Sequence, residues 1–353
     1  MRKTKKKKKK EPSKKTRRVI EPQRQVFLQR TEKKFGRGTL SFANDDAEFI
    51  ERLPLGIAPV DRLIGGGLPM GKVTMFRGPE SGTKTTLAIL ACRQYLERFP
   101  DRLAVYVDTE EKYPYLLVKR LGIKRESFSR ASLETSEKTI DFLAWSLRQE
   151  SVGILVLDSL AGMVPRIEID APMEDQQQGV AAREINKLLR KMVHALRVAR
   201  LEKGWSPTVI LINQERYKIG VRFGNPITLP GGEGQKYFVS LSLRLRKLKI
   251  RKEDGLPEDA PMVKISAVVA KHSFGPEGKD VEYLFAMEDF RNLKTGDAMD
   301  EDFLWRMGNK LDLIEEIKLM DGDSSRAALE RREEFYDRLK EAVLLAGAEK
   351  SSS

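Results

Sequence analysis

The chain has 353 residues, 40% of them hydrophobic and 33% charged, and a formal net charge of +13 at pH 7. This excludes a wholly disordered or collagen-like chain and leaves room for a core domain of about 200–250 residues plus smaller appendages. A single cysteine, Cys92, excludes an internal disulfide framework, suits a reducing cytoplasm, and with only two histidines leaves too few ligands for a zinc site.

Residues 1–18 hold twelve lysines and arginines against one acid, Glu11, so almost all of the charge excess sits in one tail. Residues 1–20 are expected to be disordered, because the Lys5–Lys10 run repels itself and buries nothing. Such a tail is a solvated arm or a loose, sequence-blind phosphate binder. It lacks the apolar stretch of a secretory signal, and no later run approaches the ~18 apolar residues of a membrane span. Residues 21–48 change character: a helix is expected through Val26, Phe27 and Leu28 to Phe35, then a short strand over Gly38–Phe42.

From Leu53 onward, apolar strands alternate with helices, which predicts an α/β fold with a mostly parallel sheet flanked by helices. The central strands are Val73–Phe76, Leu103–Val107, Ile154–Leu157 and Val209–Ile212, apolar on both faces and so expected to be covered from both sides. Helices are expected over Thr85–Phe99, Thr139–Gln149 and Arg183–Leu201. Leu241–Arg246 alternates like a half-exposed strand. Beyond residue 290 the chain becomes helical and acidic. Residues 49–290 therefore form the core and 291–353 a small helical lobe, with helices at Leu311–Ile317 and Arg326–Leu345.

Chemistry concentrates at the strand ends. The run Gly78, Pro79, Glu80, Ser81, Gly82, Thr83, Lys84, Thr85, Thr86 follows a strand and opens a helix, as a phosphate-binding loop does. There, backbone N–H groups and the helix N-terminus surround phosphates, Lys84 reaches the outer ones, and the Thr85 hydroxyl ligates Mg²⁺. Thr83 stands where glycine usually precedes the lysine, so a side chain crowds that position. Asp158 follows four apolar residues as a second Mg²⁺ ligand. Glu110 and Glu111 both follow the strand ending at Asp108, and spacing alone does not choose between them as the base that orients water. Asn213-Gln214 places neutral amides at the end of a fourth strand, either sensing a γ-phosphate or bonding a neighbouring loop.

Over most of residues 25–290 the chain resembles the RecA-type recombinases. The resemblance rests on Glu32–Gly38, Gly65–Lys72, Leu157–Ala161 and, most specifically, the ordered string Ile212-Asn213-Gln214, Lys218–Val221, Phe223–Pro226, Gly231-Gly232 and Lys236-Tyr237. It separates the chain from ring helicases of the same core fold. It implies a RecA-like P-loop ATPase core that uses ATP and Mg²⁺, filaments on single-stranded DNA, and strand exchange with double-stranded DNA. Residues 21–48 would join protomers head to tail.

Residue by residue, the resemblance gives Glu110 the water-activating role and Gln214 the γ-phosphate contact that couples to a DNA loop from Glu215 to Pro230. That loop carries Arg216, Lys218, Arg222 and Phe223. Its cations and aromatic ring suit phosphate contact and base stacking. Another DNA loop would lie between Pro165 and Gly179, followed by Arg183, and Arg246 and Lys247 would serve a second, weaker DNA site. Lys271 takes one place of a pair of trans-acting lysines, the other being His272. Pro114 and Leu117 stand where the family has its adenine contacts, leaving Tyr113 or Tyr115 to cover the base. The altered phosphate loop and single lysine motivate a second expectation, a non-hydrolysing nucleotide-dependent DNA scaffold or recombination mediator.

Overall fold

The chain divides at Ile50 into two units. The structure, a computed structural model, describes residues 14–36, 39, 50–172, 179–217, 227–251, 254, 256, 260–289, 293–300, 304, 339 and 340. The first unit is carried by helix α1 (Lys14–Phe35), which leaves Val26 and Phe27 exposed. This helix starts inside the segment expected to be disordered. The uninterrupted lysine run ends at Lys10, and Val19, Ile20 and Glu21 break the like-charge repulsion that follows. The strand expected at Gly38–Phe42 lies outside the described residues except for Thr39.

The second unit opens with β1 (Arg52–Leu53), α2 (Ala58–Leu63), β2 (Leu68–Pro69), β3 (Val73–Gly78) and α3 (Lys84–Arg98). It continues through β4 (Leu103–Asp108), α4 (Tyr115–Arg120), β5 (Phe128–Ala131), α5 (Ser136–Ser146), β6 (Val152–Asp158) and α6 (Arg166–Asp170). Then come α7 (Val180–Lys203), β7 (Thr208–Gln214), β8 (Arg216–Tyr217), β9 (Ile227–Thr228), β10 (Leu241–Leu248), β11 (Met262–His272), β12 (Asp280–Ala286) and β13 (Ala298–Met299).

Nine strands form one sheet in the order β13-β12-β11-β10-β3-β7-β6-β4-β5. From β10 to β5 every neighbour is parallel, and β11, β12 and β13 extend it antiparallel. Alternate residues of each central strand enter different cores. On β6, Ile154 and Val156 join α2 and α3 on one face, while Leu155 and Leu157 meet α5 and α7 on the other. This is why the strands read as apolar runs without alternation. Cys92 of α3 is completely buried among these side chains, and burial pushes its thiol well up from the usual range.

The helices are delimited by local chemistry. Thr135 caps α5 by accepting from the Lys138 N–H, and Gly204 ends α7 in a left-handed turn whose N–H donates to the Arg200 carbonyl at 2.9 Å. Two expectations change. The polar face of β10 is more covered than alternation suggested, because Ser242 is buried and Arg244 is held by Glu215, leaving Arg246 and Lys247 exposed. The sheet also continues past residue 290, since β13 pairs with β12. Leu311–Ile317 and most of Arg326–Leu345 lie outside the described residues. Ile210, fully buried at the sheet centre, tests the layered core: Ile210→Ala is expected to lower unfolding free energy by about 2–5 kcal/mol in chemical denaturation.

Candidate nucleotide-binding site

Four adjacent parallel strands, β3, β7, β6 and β4, end at one edge of the sheet. Their last residues stand in register, Gly78 beside Gln214 and Asp108 beside Asp158. The phosphate loop, both acids and the amide thus converge without any long connection, at the edge where open α/β sheets place ligands.

The loop is pressed onto β10. A Cβ on Gly78, whose φ is +148°, would stand 2.0 Å from the Leu245 carbonyl oxygen, and one on Gly82 would stand 2.9 Å from it. Thr83 takes a left-handed conformation, φ +59° and ψ 16°, at the start of α3. A β-branched residue there carries strain of ~1–2 kcal/mol. Its hydroxyl donates to the Gly82 carbonyl at 2.7 Å and leaves the first N–H groups of the helix uncapped by that side chain. Such N–H groups suit an anion. Thr83→Gly is therefore expected to hold or raise the melting temperature, whereas Gly82→Ser lowers it. Thermal melting of the two single variants checks this.

Lys84 lies buried, donating to the Pro79 carbonyl at 2.5 Å, with two further N–H donors. Burial lowers its pKa, opposed by the charges of Asp158, Glu110, Glu215 and Glu80. Asp158 Oδ2 accepts from Thr85 Oγ1 and from the buried Tyr106 hydroxyl, both at 2.6 Å. Burial raises the Asp158 pKa against those two donors, and the charges of Glu110 and Asp108 raise it further. A hydroxyl beside a carboxylate is the hard-oxygen set that fits Mg²⁺. Among the described residues no group of three or more His, Cys, Asp or Glu side chains gathers as a metal site. An ion held by Thr85 and Asp158 would leave positions for phosphate oxygens and water, as Mg²⁺ sites commonly do.

The structure separates the two glutamates. Glu110 Oε1 accepts from Gln214 Nε2 at 2.7 Å and from the Ser159 hydroxyl. Glu111 has φ +54°, which turns its side chain elsewhere, onto Arg130 and Ser132. Asp108, with a side chain 1% exposed, pairs with Arg130 at 2.8 Å and accepts from the Glu110 and Lys112 N–H groups, shaping the turn that presents Glu110. Thr109 stitches the β4 and β6 ends, accepting from the Ser159 N–H and donating to its carbonyl. The neighbouring amides also part company. Gln214 reaches Glu110, while Asn213 donates to the Pro230 carbonyl and Gln235.

Other expected site residues are dispersed. Arg183, Arg216, Arg246 and Lys247 are exposed. Lys218, Arg222 and Phe223 lie outside the described residues, as does part of the Pro165–Gly179 segment. Lys271, next to last in β11, lies beside Ser242, toward the opposite end of the strands from the phosphate loop, and donates to the Lys236 carbonyl. His272 is buried, with Nε2 against the Ile64 carbonyl and Nδ1 accepting from the Phe274 N–H. Tyr113 is engaged with Tyr106, Phe128 and Arg130, whereas Tyr115 is 60% exposed. Motif reading passed over the Tyr106 hydroxyl, Asp108–Arg130 and Ser159. For Tyr106 and Asp108 the local signal is a polar atom within the otherwise apolar β4.

A phosphate loop on a central strand, acids at the ends of the next strands and an amide between them define a P-loop protein with a RecA-like core. Comparison with known proteins agrees. The RecA N-terminal domain family matches residues 23–286. Protein RecA of Thermus thermophilus is 33% identical over 261 residues, covering 72% of this chain and 73% of that protein. Protein RecA of Bifidobacterium longum is 31% identical over 279 residues, 77% of this chain and 68% of its own, and that of Syntrophus aciditrophicus is 31% identical over 278, 78% of each. The chain belongs to the RecA family.

Proposed function

We propose that this chain is an ATP-dependent recombination protein that assembles head to tail on single-stranded DNA and promotes strand exchange with a duplex. One observation carries the reading, the 2.7 Å hydrogen bond between Gln214 and Glu110. It joins the carboxylate suited to activating water to the strand end that opens the segment bearing Arg216, Lys218, Arg222 and Phe223.

Lys84 and the N-terminus of α3 bind phosphate oxygens, and Thr85 with Asp158 holds Mg²⁺, which neutralises phosphate charge when bound. Glu110 orients the attacking water and takes its proton. Gln214 has two competing partners, the Glu110 carboxylate and a terminal phosphate. Nucleotide state therefore biases the conformation at the end of β7, a population shift between DNA-gripping and releasing forms. Exposed Arg183, Arg216, Arg246 and Lys247 supply phosphate contacts that carry no base sequence information.

Self-assembly has its own support. Val26 and Phe27 on α1 are apolar and exposed. Lys271, toward the far end of the strands, is suited to serve a nucleotide on another copy rather than its own. A heterologous contact that does not close gives a filament. Among the described residues no helix is long and apolar enough to cross a membrane, and the reading places the protein with DNA in the cytoplasm.

Steady-state ATP hydrolysis with and without single-stranded DNA, paired with negative-stain images, tests the proposal. DNA-stimulated turnover and open filaments are expected. Binding of both ligands without turnover would move the reading to a nucleotide-dependent scaffold, and closed hexamers would overturn the filament.

A further inference from the structure

Glu215 directly follows Gln214, and its side chain is 1% exposed. Cations from two strands occupy it. Arg77 of β3 donates to Oε1 at 3.1 Å, while Arg244 of β10 grips both oxygens at 2.8–3.0 Å. The Glu215 N–H donates to the carbonyl of Gly78, the first residue of the phosphate loop, at 3.0 Å. Arg77 and Arg244 are register partners in the parallel β3–β10 pair. The carboxylate is what allows two guanidinium groups to share that place.

The same residue leads into β8, which pairs with β9 through Arg216–Thr228 and Tyr217–Ile227. On the other side of Gln214, Asn213 is tied to Pro230 and Gln235. Gln214 is thus held between two anchored neighbours, one fastened to the phosphate loop and one to the chain returning from β9.

We infer that Glu215, clamped by Arg77 and Arg244, is a positioning residue that fixes Gln214 against Glu110 and links the phosphate loop to the β8–β9 pair. This rests on the nucleotide-switch reading above. Stability alone does not account for such a cluster, because desolvating the charges offsets their attraction and apolar side chains of similar volume often hold strands as well. Apolar side chains would not fix the direction of the backbone at residues 214–216, as these directional bonds do.

Glu215→Gln preserves shape and removes the charge. In the full chain, affinity for a fluorescent ATP analogue is measured beside affinity for a labelled single-stranded oligonucleotide, with and without ATP, and thermal melting is recorded. Nucleotide affinity is expected to stay within about twofold of wild type. The ATP-induced gain in DNA affinity, about 5–150-fold for coupled sites, is expected to fall about tenfold or vanish. A merely structural clamp would lower the melting temperature and leave that gain alone, so a folded Glu215→Gln protein with the wild-type gain overturns the inference. Should that variant not fold, Arg244→Met, which keeps the Arg77 pair, carries the same expectation at smaller amplitude, and an unchanged gain there overturns it equally. A wild-type chain whose DNA affinity ignores ATP would overturn the switch reading instead.

Discussion

Replacing Lys84 by alanine is expected to abolish ATP-stimulated binding to single-stranded DNA and to weaken ATP binding by at least about thirtyfold. Lys84 is the buried cation among Asp158, Glu110, Glu215 and Glu80. Without it Asp158 and Glu110, the acids that act most strongly on the amine, face a polyphosphate with less of their charge compensated. Truncating one partner of a buried, hydrogen-bonded charge pair costs about 2–5 kcal/mol, roughly 30- to 5,000-fold in affinity. The fold should tolerate the change, because the amine is itself desolvated and, among the described residues, bonds only the Pro79 carbonyl. Calorimetric ATP titration beside thermal melting separates these effects. Affinity within threefold of wild type would remove Lys84 from the phosphate site.

Glu110→Gln is expected to lower DNA-stimulated turnover by about 10²–10⁴-fold, the usual contribution of a positioned general base. ATP binding and ATP-dependent DNA binding should survive. An amide has nearly the same shape as the carboxylate, and its oxygen still accepts the bond that Gln214 now makes to Oε1 at 2.7 Å. The filament should then persist on DNA in ATP, where wild type cycles off. Single-turnover hydrolysis with DNA retention distinguishes this from general damage, which would reduce both. Glu111→Gln provides the contrast. Glu111 is exposed and bonded to Arg130 and Ser132, outside the Gln214 network, so turnover should hold.

Much of the sheet was legible because its central strands are buried on both faces, so Val73–Phe76, Leu103–Val107, Ile154–Leu157 and Val209–Ile212 appear as unbroken apolar runs. Each extends by one to three residues in the structure, mostly into the polar positions that carry chemistry, such as Asp108, Asp158 and Gln214. What sequence pattern cannot carry is which strand lies beside which. The Asp108–Arg130 and Glu215–Arg77–Arg244 contacts span 22 to 138 positions and exist only through strand neighbours. A single dihedral separated Glu110 from Glu111: spacing treats them alike, and a positive φ at Glu111 sends its side chain away. His272, which stands in the place of the family's second trans-acting lysine, is buried with its ring nitrogens against the Ile64 carbonyl and the Phe274 N–H, a placement no motif announces.

The completely buried Cys92 has a practical corollary. It is the only cysteine in the chain, and reagents and oxidants act on an accessible thiolate, which its burial withholds. A cysteine introduced at an exposed position such as Tyr237 would be the single thiol open to a maleimide dye. Site-specific fluorescence could then follow assembly on DNA in real time without first removing the native cysteine from the core.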